Sequence, residues 1–384
     1  NVHLPALQIA VPMLAGPLLV LLRHRMVAWA GATLTAFFSL YASVSILNHV
    51  RSEGPIHYAL GGWADHVGIV YHIDVVNAYI LTLVSAIAAV TFAFARQSVE
   101  KEIEVEKHHL FYAALLLCLT GLLGITITGD AFNIFVFLEV SSLSAYALIG
   151  MGKSPRAPLA AFRYLVMGTI GGTFVLLGIG LLLMATGTLN IAELVKLIPP
   201  VADKSMVRAA FAFIAVGSCI KLALFPLHMW LPDCYTYAPS VVSAFLSATA
   251  TKVSYYVLIR AVFIIFGVAL ADQAFRMEVV FIPLALAAIF IGSIKAIAQP
   301  NIKRLLAYSS VAQIGYMVLG LSFSNVDGLT GGIVHLFNHA LMKGGLFLAL
   351  GCIVYQIGSV RIEDLAGIGK RMPITTFAFV AGGL

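Results

Sequence analysis

Of the 384 residues, 61% are hydrophobic and only 10% charged, where a soluble domain carries roughly 25% charged residues, so a water-soluble globular protein is excluded. The 33 Gly and 14 Pro are scattered through long apolar runs, against disorder and coiled coil, and the four cysteines are too dispersed for a disulfide scaffold, haem motif or Cys/His metal cluster. The net charge of +6 fits contact with anionic lipid or a topological bias, and no basic cluster is large enough to track nucleic acid. What remains is a polytopic membrane protein whose own chain is expected to bind no metal, no redox cofactor and no nucleic acid.

A crossing helix needs about 20 mostly apolar residues. Such runs occupy 6–22, 26–47, 75–95, 109–128, 131–150, 159–186, 208–230, 240–269, 278–298, 305–323 and 328–357, which predicts eleven complete crossings. A twelfth run begins at Ile374 and is cut off at Leu384, and the first residue is Asn1 rather than Met, so the sequence reads as part of a longer chain. No basic residue precedes the first run and Arg23, His24 and Arg25 follow it, the pattern of an uncleaved helix rather than a signal peptide. Odd-numbered loops hold twelve Lys and Arg, from Arg23 to Arg371, and even-numbered loops five, from Arg51 to Arg276. The positive-inside rule then puts the odd loops in the cytoplasm and the N-terminus outside. The longest loops, 48–73 and 187–207, are too short for a soluble domain. Within the second, Asn190 to Ile198 has the apolar spacing of a short interfacial helix, with a plain connector as the alternative.

A charge at the centre of a span costs about 2.5–3.5 kcal/mol on insertion scales, so each one needs a reason. Glu139, Lys221, Lys252, His335, His339 and Lys343 lie well inside their runs, where snorkelling helps least. Arg163 and Lys295, near span ends, read as interface anchors, and Arg260 is left open. Burial disfavours a lone carboxylate, and Lys221 is the natural partner of Glu139. Lys221 stands five residues before Pro226, which removes a backbone donor and predicts a break in that helix; broken helices at mid-membrane line protein or water, where transporters put ion sites. A purely structural ion pair is the competing reading. Lys252 follows the small, hydroxylated run Ser247 to Thr251, on which water could bridge, with bonds to the carbonyls of a neighbouring helix as the alternative. His335, His339 and Lys343 recur every four residues and form one helical stripe, suited to relaying protons. Satisfied core histidines or a metal pair are the other readings, the latter disfavoured by the terminal lysine and the lack of a nearby carboxylate. Gly344, Gly345 and Gly351 point to close packing or a second broken helix. Asp130 and Asp327 suit helix N-caps and Asp233, after Pro232, a turn.

Three long stretches, Thr128 to Glu139, Lys221 to Asp233 and Asn301 to Met317, together with His335 to Lys343, strongly resemble the antiporter-like subunits of complex I and of Mrp cation/proton antiporters. The resemblance implies an all-α integral membrane fold of about fourteen helices in the full chain. Eleven would be complete here, with the start of a twelfth. It also implies two inverted five-helix repeats, each with a broken helix: 1–108 would be N-terminal helices, 109–270 the first repeat and 271–384 an incomplete second. By the same resemblance Glu139 and Lys221 form the gating pair, Lys252 is the connecting lysine, and His335, His339 and Lys343 lead into the second half.

On this reading protons pass along a buried axis from Glu139/Lys221 through Lys252 to the His/Lys stripe, and the chain works with other membrane subunits of a complex in a prokaryotic-type inner (plasma) membrane. The favoured member is the D-type subunit of an Mrp-type Na+/H+ antiporter, with protons and Na+ as the ions. The alternative is a proton-pumping membrane subunit of complex I or of a related hydrogenase or dehydrogenase complex, in which the assembly is a redox enzyme although this chain has no catalytic site of its own. From other classes come a non-transporting scaffold and, on Trp230, Tyr255 and Tyr256, a quinone-binding subunit.

Overall fold

The computed structural model describes residues 3–65 and 67–383. Asn1 and Leu384, on which the expectation of a longer chain rests, lie outside the described residues. The chain is an all-α integral membrane protein, and among the described residues eleven helices are long and apolar enough to cross a membrane. They are α1 (Leu4–Leu22), α2 (Arg25–Glu53), α3 (Val75–Glu102), α4 (His108–Ile127), α5 (Ala131–Gly150) and α6 (Ala157–Thr186). After the short α7 (Ile191–Leu197) come α8 (Ser205–Leu222), a short α9 (Leu231–Tyr237), α10 (Ser240–Ile259), a short α11 (Val268–Phe275), α12 (Met277–Ile297), α13 (Ile302–Ser322) and α14 (Val326–Ile357). Two further short helices, α15 (Ile368–Arg371) and α16 (Pro373–Gly383), follow.

Several helices outrun their apolar stretches because charged residues continue the helix beyond the apolar core. The end of α3 is supported by an Arg96–Glu100 pair at 3.7 Å, one turn apart. Two loops are more ordered than their composition suggests. In 48–73 an antiparallel hairpin pairs β1 (Ile56–Ala59) with β2 (Val70–Ile73), so the helical fold carries one small sheet, and in 187–207 α7 forms behind an Asn190 N-cap.

The predicted break lies in the seventh span. α8 stops at Leu222, Ala223 takes the left-handed conformation at φ 62°, and helix resumes only at Leu231. Helical geometry is disfavoured at the residue before a proline, so Phe225 cannot extend α8 into Pro226. The loose end is not left bare, since the indole of Trp230 donates to the Ile220 carbonyl at 2.9 Å and the Leu224 N–H reaches Cys219 at 3.0 Å. A second break at the glycines of the eleventh span is not found: α14 runs unbroken for 32 residues. Gly344 and Gly351 instead allow close packing, because a Cβ on them would meet Ala248, and Ser240 and Phe94, at 3.3 Å.

α4 and α10 are the most enclosed spans and α1 and α12 among the most exposed. α10 packs against α3, α4, α8 and α14, and therefore forms the axis of the molecule. It ends in a π-helical turn, Arg260–Ile265.

Candidate functional site

The site begins where α5, α6 and α8 meet. Crossing of α6 and α8 at Gly171 and Gly217, whose absent side chains let the backbones touch, brings the end of α8 against α5. There Lys221 Nζ donates to Glu139 Oε1 at 3.2 Å and to Ser142 Oγ at 2.8 Å. The lysine side chain is 3% exposed and the glutamate 24%, so the cation is sealed in while its counter-charge keeps an edge free. Room for the carboxylate is supplied by Gly172, where a Cβ would collide with it. Beside the pair Trp230 stacks on Tyr164, with ring centroids 3.9 Å apart, and Tyr164 meets Tyr146 edge-on at 4.6 Å.

A cavity of about 20 Å³ lined by Lys221, Ser141 and Ser142 on one side and Ala250 and Ser254 of α10 on the other adjoins the pair. That is room for about one water. Lys252 lies on the same helix, fully buried, and hydrogen-bonds the Ser247 carbonyl and, at 3.4 Å, Thr251 Oγ1. Its carbonyl partner thus belongs to its own helix and not to a neighbour. No direct bond joins Lys221 to Lys252 among the described residues.

Across the α10–α14 contact lies the stripe. The rings of His335 and His339 are nearly parallel, 10° apart, with centroids at 6.2 Å, and Tyr316 meets His335 at 5.8 Å. Both ring nitrogens of His339 and Nε2 of His335 are buried without a hydrogen-bond partner among the described residues. Lys343 closes the stripe by donating to the Leu306 carbonyl at 3.0 Å and Ser309 Oγ at 2.9 Å, both on α13. Lys252 is within electrostatic reach of His335, His339 and Lys343. Among the described residues no third His, Cys, Asp or Glu joins the two histidines into a metal-ligand group. The six residues singled out in the sequence therefore fall into two groups, Glu139/Lys221 and Lys252/His335/His339/Lys343, with the small cavity lying against α10 between them.

Other charges keep only in part the roles that their sequence context suggests. Asp130 caps α5, accepting from the Asn133 N–H at 2.7 Å, but the cap of α14 is Asn325, with Asp327 inside the first turn. Asp233 is no turn residue: it lies on α9 between Arg163 of α6 at 2.6 Å and Arg304 of α13 at 2.8 Å. Lys303, which counts as a loop charge in the sequence, is 5% exposed and donates to the Ala238 carbonyl at 3.0 Å. Close by, Glu102 of α3 accepts from the Ser240 N–H at 2.8 Å and caps the axial helix from a distant part of the chain. Arg260 is buried in the π-helical turn, bonded to the Thr128 carbonyl and over the Tyr256 ring.

Residues 128–384 match the family model described as NADH:quinone oxidoreductase/Mrp antiporter, transmembrane. The chain belongs to this family. Members similar to it include the N-type subunit of the NADH-quinone oxidoreductase of Desulforudis audaxviator, 42% identical over 100% of this chain and 76% of the relative. The D-type subunit of the Na+/H+ antiporter of Alkalihalophilus pseudofirmus is 29% identical over 98% of this chain and 75% of its own. Among solved structures, a component of an archaeal respiratory complex, the membrane-bound sulfane sulfur reductase, superposes with a TM-score of 0.93 at 31% identity, covering 99% of this chain and 77% of that one. A component of the Mrp complex from Dietzia superposes with a TM-score of 0.90 at 30% identity, covering 99% and 70%. These family members are subunits of multisubunit membrane complexes.

Proposed function

We propose that this chain is the proton-translocating subunit of a multisubunit Mrp-type Na+/H+ antiporter, working with other membrane subunits in a prokaryotic inner membrane. One observation carries the reading: four lysine and histidine side chains are buried in apolar helices on α8, α10 and α14, and the first of them, next to the break that ends α8, is partnered by an acid that stays partly exposed. Buried polar groups kept only for registry would be mutually satisfied, whereas both ring nitrogens of His339 lack a hydrogen-bond partner among the described residues. While Glu139 stays at Lys221 the ammonium is stabilised. Withdrawal of the carboxylate by a neighbouring subunit removes that stabilisation, and the proton moves by way of water to Lys252 and on to His339, His335 and Lys343. The segments 109–270 and 271–384 would be the two units between which the proton passes, with α8/α9 as the broken helix of the first.

The relative at 42% identity supports a second reading, in which the same axis is driven by electron transfer in partner subunits of an NADH-quinone oxidoreductase-type complex. The site chemistry is shared and the energy source differs. Proton flux in inverted vesicles holding the whole complex separates the two. If sodium pulses alone move protons and Lys221→Ala stops them, the antiporter reading stands. If only NADH drives uptake, the chain serves a redox pump; an assembled Lys221→Ala complex that matches wild type under both makes the axis a scaffold.

A further inference from the structure

Three guanidinium groups converge at the odd-loop end of the broken helix, where the transport axis has no use for them. Arg156 precedes α6, Arg163 sits two turns into it, and Arg304 lies in the first turn of α13. With Leu159, Ala160, Asp233 and Tyr237 they line an open cavity of about 340 Å³, within the range of small-molecule sites, roughly 300–1,000 Å³. One carboxylate faces the three cations: Asp233 takes Arg163 on one oxygen at 2.6 Å and Arg304 on the other at 2.8 Å. Among the described residues the Arg156 guanidinium is tied only to Tyr237, donating to its hydroxyl at 3.0 Å. The lining thus keeps two positive charges in excess, and each guanidinium has five N–H donors, most of them uncommitted.

We propose that this cavity binds the phosphate group of an anionic phospholipid. Guanidinium forks match phosphate oxygens in pairs, which a single carboxylate cannot exhaust. The choice of a lipid over free phosphate follows from what lies beside the cavity. On α6, Leu159, Phe162, Val166 and Ile170 are exposed and follow one another at helical spacing, an apolar track leading from the charged rim into the membrane. A polar group held at the rim with chains along that track is the shape of a phospholipid. The cavity also opens on the face that carries the excess of Lys and Arg, where anionic lipid is attracted. Because Asp233 belongs to α9, the second half of the broken helix, the bound headgroup competes with it for Arg163 and Arg304 and so loads the segment next to Lys221.

The test uses the whole complex in nanodiscs of phosphatidylcholine doped with fluorescent phosphatidylglycerol or, as control, fluorescent phosphatidylcholine. The wild type is expected to hold phosphatidylglycerol selectively, and Arg156→Gln, outside the Asp233 ion pairs, to weaken it about tenfold, roughly 1.4 kcal/mol. Arg156→Lys should restore it only in part. Inorganic phosphate at millimolar concentration should leave the lipid in place. Equal retention of the two lipids, or retention unchanged in both Arg156→Gln and Arg163→Gln complexes, overturns the proposal. Displacement by inorganic phosphate, or a cross-link from Arg156→Cys to an acidic segment of a partner subunit, overturns the assignment to lipid.

Discussion

At the scale of single residues, the Glu139–Lys221 pair is set by what surrounds it as much as by its own 3.2 Å contact. Gly172 is the most direct handle, because one methyl group there occupies the place of the Glu139 carboxylate, while Gly180, two turns along the same helix, has nothing within 4 Å of an added Cβ. Gly172→Ala is expected to slow proton transport roughly tenfold, about 1.4 kcal/mol in barrier, and Gly180→Ala to leave it unchanged, in vesicles matched for assembled complex. Equal rates for the two would mean that the carboxylate position does not control the gate. At the other end of the axis, Lys343 has two acceptors on α13, Leu306 O and Ser309 Oγ. Ser309→Ala should lower flux by a smaller factor than Lys343→Met, since one bond survives. Glu139 and Lys221 are legible in the sequence because a charge in an apolar run is an anomaly that must be paired. Asp233 and Lys303 are not, because beside a proline or at the end of a run a charge has an ordinary explanation, and only their partners on other parts of the chain show otherwise.

At the scale of elements, Pro226 ends the helix, but Trp230 makes the end tolerable in a medium where water cannot solvate it. Its N–H bond to Ile220 O spans the break. Removing that donor leaves a buried acceptor short of a partner, a cost of about 1–3 kcal/mol. Trp230→Phe, which keeps a ring to stack on Tyr164, is expected to lower the thermal midpoint of the detergent-solubilised complex clearly. The control is Trp29→Phe, whose indole bonds the Phe92 carbonyl in a more exposed setting, and which should shift it less. A reversed order would remove Trp230 from its capping role. The glycines of α14 mark the opposite case. From sequence they allowed either a break or a tight crossing, and the crossing prevails because Ala248, Ser240 and Phe94 stand opposite Gly344 and Gly351.

At the scale of the molecule, the uneven Lys and Arg count predicts an orientation, with the odd-numbered loops in the cytoplasm, and it can be checked directly. Glu106 is exposed on an odd-numbered loop and Ser52 at the end of α2 on the other side. The native cysteines give little background, since Cys118, Cys219 and Cys234 are buried and Cys352 is half-buried. A membrane-impermeant maleimide added to inverted vesicles should label Glu106→Cys and not Ser52→Cys. The opposite pattern would turn the molecule over and move the arginine cavity to the outer face.

The sequence alone determined that the chain lives in a membrane, where its eleven long apolar runs lie, and that it carries ionisable groups where lipid would forbid them. Each of these follows from local composition, since hydration of charge and burial of apolar surface act on every segment separately. The break at Pro226 was equally local. Tertiary structure alone decided how those groups are partnered, because partners come from distant segments, 82 residues apart for Lys221 and Glu139. No periodicity encodes which faces of α5, α6 and α8 meet, so the half-free Glu139, the unpaired His339 and the three arginines around Asp233 became visible only once the helices were packed.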